Sequence, residues 1–266
     1  MKAIVEIDSS PYAVDFSEKY DISIPLIFNG EQPNTYGVEI ASSKAYQDDQ
    51  FIGDTRKGGP CNFETYTLTP HCNGTHTECI GHITENRVTI LESLNKEIIP
   101  STLISITPKK NKESYIPEIN NDDLLITKED LALKLKDINQ NFLDAVIIRT
   151  LPNNDSKKSQ DYLKKSSCFF SLEAMRYLVK LGVNHLLVDT PSVDRLLDDG
   201  HLSTHNIFWE TQNKEFNPSA KNKTITEMIF VDNQIEDGNY LLNLQIPSFV
   251  SDAAPSRPIL YMIDEL

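Results

Sequence analysis

Cysteine is scarce in this chain, and positive charge is scarcer than negative. Only Cys61, Cys72, Cys79 and Cys168 occur among 266 residues, and no two of them form a CxxC pair. A disulfide framework in a chain this long would show more cysteines, so a reducing compartment is expected. Lys and Arg number 25 against 39 Asp and Glu, a formal net charge of −14. Phosphate backbones and anionic lipid surfaces are repelled by that balance, so neither nucleic acid nor membrane is an expected partner. Long apolar runs are missing too. No stretch approaches the ~18 residues of a membrane span. The N-terminal MKAIVEIDSSPYAVDF carries Asp and Glu where a secretory leader needs an unbroken apolar run, so a cytoplasmic location is expected. Internal repeats and Gly/Ser- or Pro-rich linkers are also lacking, which predicts one domain over residues 1–266. The polar stretches 109–123 and 212–223 read as exposed excursions within it.

What the chain does have is enough apolar material to fold: 39% hydrophobic residues beside 24% charged ones. Residues 3–7 are short and β-prone, and residues 22–27 suggest an edge or irregular strand around Pro25. Thr127 caps a predicted helix running through Leu135 toward Ile138. Residues 145–148 read as a buried strand. Ser171 caps a second helix, with Leu172, Met175, Leu178 and Leu181 at helical spacing and Gly182 as its stop. Residues 185–188 read as another buried strand, so this run predicts a local unit with parallel pairing. A short helix is expected over 202–209, then strands over 228–231, 240–244 and 259–262. The class is α/β: a mixed sheet with much antiparallel pairing and flanking helices.

Three of the six histidines fall in one window, His71-Cys-Asn-Gly-Thr-His76-Thr-Glu78-Cys-Ile-Gly-His82. Gly74 permits a bend that lets two imidazoles converge. His76, Glu78 and His82 are separated by even intervals and share one face of an extended segment. On a helix, Glu78 and His82 still align. Two imidazoles and a carboxylate aimed at one centre form the ligand set of a hydrolytic zinc site.

This window resembles the His-x-Gly-Thr-His-x-Asp-x-Pro-x-His signature of the cyclase family of metal-dependent hydrolases, which includes bacterial kynurenine formamidase and isatin hydrolase. Residues 21–26, 188–194, 202–205, 225–228 and 252–258 resemble further family segments in the same order. Three departures stand out: Glu78 replaces Asp, Cys72-Asn73 occupies one position, and Ile80 replaces Pro. The resemblance implies a mixed sheet with a β-barrel-like core, of the swivelling β/β/α kind. It implies that His71, His76 and Glu78 hold a first metal, and that Glu78 bridges to a second held by His205 and Glu227. It gives His82 the role of proton shuttle. One or two divalent ions are implied, zinc first and manganese as the alternative. The implied activity is an arylformamidase acting on N-formylkynurenine, in tryptophan catabolism to kynurenine. Cyclic amides or lactones are the comparable substrates. The chain is expected to form dimers or higher assemblies.

Other polar residues have plainer expectations. His185 reads as packing or surface, and His201 shares a potential helix face with His205. Asp189 and Asp194 read as turn-shaping residues, with Asp194 also suited to orienting site residues. Arg149 follows a buried strand, where loop residues line sites. Trp209 reads as core, and Tyr12, Phe16 and Phe28 as the possible lining of an apolar pocket. Two rival readings remain: a Cys79 nucleophile with His82 as base, and a structural metal site in a binding module. Neutral imidazoles bind metal, so affinity should fall below about pH 6.

Overall fold

The computed structural model describes residues 1–266. Alternating side chains build its first hairpin. Burial alternates along β1 (Lys2–Ile7), which pairs antiparallel with β2 (Ser10–Asp21). Asp8 and Ser9 between them take positive φ values of 47° and 67°, the turn geometry that matches strand twist. β3 (Ser42–Ala45) and β4 (Glu64–Thr67) form a separate two-stranded ribbon. A one-turn helix α1 (Pro70–Asn73) leads into β5 (His76–Cys79). α2 (Ile90–Ser93), closed by a Thr89–Glu92 capping box, precedes β6 (Ile98–Ile106).

The middle of the chain brings β7 (Leu125–Ile126), α3 (Lys128–Leu135) and β8 (Ala145–Thr150). β9 (Phe169–Phe170), α4 (Leu172–Leu181) and β10 (His185–Val188) follow. The Thr127 and Ser171 hydroxyls accept from the backbone N–H groups of Asp130 and Ala174, as their capping role predicts. Gly182 ends α4 with φ 82°, a left-handed cap that favours glycine. The last part contains α5 (Ser203–Phe208), β11 (Thr224–Glu227), β12 (Gly238–Asn243), β13 (Ala253–Pro255) and β14 (Ile259–Glu265).

Ten strands form one sheet in the order β1-β2-β14-β12-β6-β8-β10-β11-β5-β13. β6, β8, β10 and β11 run parallel, and the remaining pairings are antiparallel. The mixed α/β class is as the sequence suggests. The sheet is open, however, with edges at β1 and β13, and does not close into a barrel. β8 is buried along its whole length, as a central parallel strand should be. Its Val146 and Ile148 face α3, α4 and α5 through Leu131, Met175, Leu178 and Phe208. Ala145 and Ile147 face the opposite layer of Ile22, Ile229, Leu242 and Leu260. No helix is long and apolar enough to cross a membrane.

Two expected strands shift. Residues 22–27 contribute only an isolated bridge, Ser23 to Ile229. The strand expected over 228–231 lies at 224–227 instead, because Met228 adopts φ 54° and turns the chain out of the ladder. Its backbone N–H then bonds Thr190 O, and Phe230 N–H bonds Ile22 O. That turn leaves Glu227 as the last residue of β11, beside the open end of the sheet.

Candidate metal centre

β5 frames the centre. It lies between β11 and β13, with His76 opposite Glu227 and Glu78 opposite Ile225 on one side. Ala253 stands opposite Glu78 on the other. Strand alternation puts His76 and Glu78 on one face and Thr77 and Cys79 on the other. His71 approaches from α1, which Cys72 and Asn73 extend. Gly74 is extended, with φ 166°, so the change of direction comes from the helical turn rather than from a bend at the glycine. His82 ends a 3-10 turn over Ile80–His82, so neither a continuous strand nor an α-helix carries it to Glu78.

All six residues singled out in the sequence converge. His71, His76 and Glu78 form one group, and Glu78, His205 and Glu227 another, with ligand atoms within 4.8 Å of one another in each. Glu78 belongs to both, and its two oxygens divide the work. Oε1 lies 3.0 Å from His205 Nε2. Oε2 lies 3.1 Å from His71 Nδ1 and 3.7 Å from His82 Nε2. The longer arm of Glu, compared with Asp, therefore still reaches both groups.

His76 tests whether a cation fits. Its Nδ1–H donates to Gly74 O at 3.0 Å. A carbonyl only accepts, so the proton belongs on Nδ1 and the lone pair on Nε2. That Nε2 is fully buried, has no hydrogen-bond partner, and lies 3.5 Å from Glu227 Oε2. A buried lone pair facing a carboxylate is an unsatisfied arrangement that a cation resolves. The donors are imidazoles and carboxylates, a set suited to zinc or manganese.

His205 is aimed by Asp194. Asp194 Oδ1 accepts from Thr204 N, and Oδ2 accepts from His205 N and, at 2.6 Å, from His205 Nδ1–H. Asp194 thus fixes the start of α5 and its histidine together. Glu227 is held by Val193 N–H, which donates to Oε1 at 3.0 Å.

Electrostatics follow from the packing. Burial pushes the His205 imidazole down, but its bonds to Asp194 and Glu78 outweigh this and raise it well above the ordinary range. Burial likewise lowers His71, and Asp252 and Glu78 outweigh it, raising His71 to about 10. Burial raises Glu78, yet the charges and hydrogen bonds of His82, His205 and His71 hold it well below the usual carboxylate range. The carboxylates that raise these two imidazoles are the same ones that would favour a cation in place of their protons.

Two nearby residues escaped sequence reasoning. Asp252 Oδ2 lies 3.0 Å from His71 Nε2 and 3.4 Å from His82 Nδ1. Tyr36, whose φ is 55°, is raised first by burial and then by the charges of Glu227, Asp198, Cys72 and Asp194. Both lie far from the histidine window in sequence. The aspartate falls in residues 252–258, read above only as a resemblance, and its two imidazole contacts depend on the β13–β5 pairing.

Other expectations resolve elsewhere. His185 is buried packing, its Nδ1 2.9 Å from Thr224 Oγ1, and His201 is exposed. Trp209 is core, donating Nε1–H to Lys223 O. Asp189 accepts from Thr150 and pairs with Lys157. Arg149 does not line the centre; it clamps Ser105, Asp237 and the carbonyls of Asp232 and Ile235. Tyr12, Phe16 and Phe28 share no pocket, packing separately on Phe142, Tyr261 and Tyr66. Cys79 faces away from the centre, packs with Ile90 and Ala254, and donates to Val88 O. It has no access to substrate, which removes the cysteine mechanism. Nor is a cysteine among the clustered donors, unlike many closed structural zinc sites.

A cleft of about 340 Å³ lies behind the 70–75 turn, lined by Asp21, Leu26, Pro70, Gly74 and Arg257 among others. It contains none of the clustered donors. The open side of the centre is instead marked by His71, His82 and Asp252, whose side chains are 22–28% exposed.

Comparison with known proteins places the chain among relatives. A cyclase family model matches residues 14–195. Kynurenine formamidase of Bacillus cytotoxicus is 24% identical over 251 residues, covering 92% of this chain and 97% of its own. Coverage of that extent runs past residue 195, into the part of the chain that carries His205 and Glu227. Among solved structures, a predicted metal-dependent hydrolase from Bacillus stearothermophilus superposes with a TM-score of 0.60 at 20% identity, over 92% of this chain and 98% of that one. Isatin hydrolase A from Labrenzia aggregata gives a TM-score of 0.63 at 15% identity, over 93% and 94%.

Proposed function

Because the chain belongs to the cyclase family of metal-dependent hydrolases, we propose that it hydrolyses the formamide bond of N-formylkynurenine, releasing formate and kynurenine. The observation that carries this reading is Glu78, whose two oxygens face two separate donor groups. His71 and His76 would hold one cation with Glu78, and His205 and Glu227 a second. Zinc is the first choice and manganese the alternative. A bound divalent cation lowers the pKa of water from about 15.7 toward ~7 and polarises a carbonyl oxygen.

The chain's own residues do the rest. His82 stands at the exposed rim, its Nε2 3.7 Å from Glu78 Oε2. From there it takes a proton from the attacking water and returns it to the leaving nitrogen. Amines are poor leaving groups, so that return is needed. Asp194 keeps His205 turned toward Glu78, and the buried wall of His76, Glu78, His205 and Glu227 keeps bulk water from the far side. Cytoplasmic residence suits the four unpaired cysteines.

The substrate rests on the formamidase relative. The isatin hydrolase neighbours support a second arm, a cyclic amide or lactone opened by the same chemistry. Purified protein loaded with zinc or manganese, assayed on N-formylkynurenine, isatin and simple lactones, tests both. Turnover of N-formylkynurenine well above the others is expected. Selective turnover of isatin or a lactone would replace the substrate, and no hydrolysis of any member would overturn the reading.

A further inference from the structure

His71 and His82 stack with ring centroids 4.2 Å apart and planes 28° from parallel. The same two oxygens bracket both rings. Glu78 Oε2 faces His71 Nδ1 and His82 Nε2 on one side. Asp252 Oδ2 faces His71 Nε2 and His82 Nδ1 on the other. We propose that Asp252 is a positioning residue that fixes the orientation and tautomer of both rings at once, a role that rests on the functional reading above.

The chemistry follows from what a carboxylate can do. Ionised Asp252 only accepts, so each ring presents it with an N–H. With a cation bound, keeping His71 Nε2–H on Asp252 leaves Nδ1 free toward Glu78, as a ligand nitrogen must be. Binding His82 Nδ1–H leaves Nε2 free toward the same place, as a proton acceptor must be. The nitrogen that is protonated on one side of an imidazole decides what the other side can do. One oxygen therefore sets a cation ligand and a proton shuttle in matching orientation.

Asp252 is well placed to be rigid. Cys79 N–H donates to Asp252 O at 3.0 Å, and Ile90 N–H donates to Ser251 O at 2.8 Å. The next residue, Ala253, is registered opposite Glu78. The strand pairing that holds Glu78 thus also holds the residue bracketing the rings from the other side. Asp194 serves His205 in the same manner, but it is buried and serves one ring.

The test compares full-length wild type with Asp252→Ala and Asp252→Asn. Zinc affinity is read by competition with a chromophoric chelator, kcat and KM with N-formylkynurenine at saturating zinc, and tautomers by side-chain ¹⁵N NMR. Asp252→Ala should weaken zinc binding about 10–100-fold and lower kcat about 10–100-fold, with KM within about 3-fold. Asp252→Asn keeps an acceptor oxygen and should recover part of both losses. In the zinc-loaded wild type, protons should sit on His71 Nε2 and His82 Nδ1. Wild-type zinc affinity and kcat in Asp252→Ala would overturn the proposal, as would a wild-type proton on His82 Nε2. If Asp252→Ala does not fold, the wild-type tautomers and the Asn variant decide. A wild type that binds zinc but hydrolyses nothing sinks the functional reading, while the affinity and tautomer results still judge Asp252.

Discussion

Asp194 grips His205 two ways, through Nδ1 at 2.6 Å and through its backbone N–H, and accepts from the neighbouring Thr204 N–H as well. The pair is almost fully buried. Removing the carboxylate with Asp194→Ala leaves His205 without its orienting partner and α5 without its anchor. Unfolding free energy should drop by about 3–5 kcal/mol, the usual result of breaking a buried pair. Metal affinity should fall about 10–100-fold. Chemical denaturation and chelator competition on the same variant measure the two losses.

His82 should behave differently from the ligands. Its side chain is 28% exposed and belongs to neither of the two donor groups that share Glu78, clustering instead with His71 and Asp252 at the rim. In His82→Ala, kcat should fall about 10²–10⁴-fold while metal content stays at the wild-type value. Elemental analysis alongside steady-state kinetics separates the two. Full turnover in this variant would remove His82 from the mechanism.

The donor window was legible because its spacing survives folding: His76 and Glu78 alternate onto one face whether or not the rest of the chain is known. Resemblance to the family, and not spacing, linked His205 and Glu227 to it, since His205 lies 123 positions after His82. Helices α3 and α4 were legible through Thr127, Ser171 and Gly182, whose capping chemistry is local. β2 and β6 were missed. β6 carries Pro100 and is buried nearly throughout, so it shows no alternation. The turn at Met228 was unreadable because a left-handed conformation there is imposed by bonds to Thr190 and to the chain near Ile22. The role of Asp252 depends on strand pairing between β13 and β5, which no local pattern reports.

Away from the centre, His185 should make the fold acid-sensitive. Burial, the largest influence, lowers its imidazole to about 4, against a partly opposing Asp144. The folded state therefore holds it neutral, whereas the unfolded state takes up a proton below about 6.5. Its contribution is present above about pH 6.5 and is lost as pH falls toward 4. That loss is about 2–3 kcal/mol. Urea denaturation of wild type and His185→Gln at pH 7 and 4.5 should show a smaller acid loss in the variant. Equal losses would assign the sensitivity to other groups.

Metal binding should release protons even at neutral pH. His71, raised to about 10, and His205, also raised, hold protons on the nitrogens that face Glu78. A raised histidine stabilises the metal-free fold fully below about pH 6.5, and that support is lost as pH rises through about 10. A cation competes with those protons, so its affinity should climb from pH 6 through pH 9 rather than level off near 6. Calorimetry in buffers of different ionisation enthalpy should count at least one proton released per cation at pH 7. A pH-independent affinity would contradict this.

The account turns on Glu78 joining two cation subsites. Zinc titration of the metal-free protein, read by elemental analysis and by hydrolysis of N-formylkynurenine, tests it in wild type and Glu78→Ala. Wild type should bind two zinc ions per chain at saturation and lose activity in excess chelator, and Glu78→Ala should hold neither ion tightly. A Glu78→Ala protein that keeps both ions, or a wild type fully active in chelator, would contradict it.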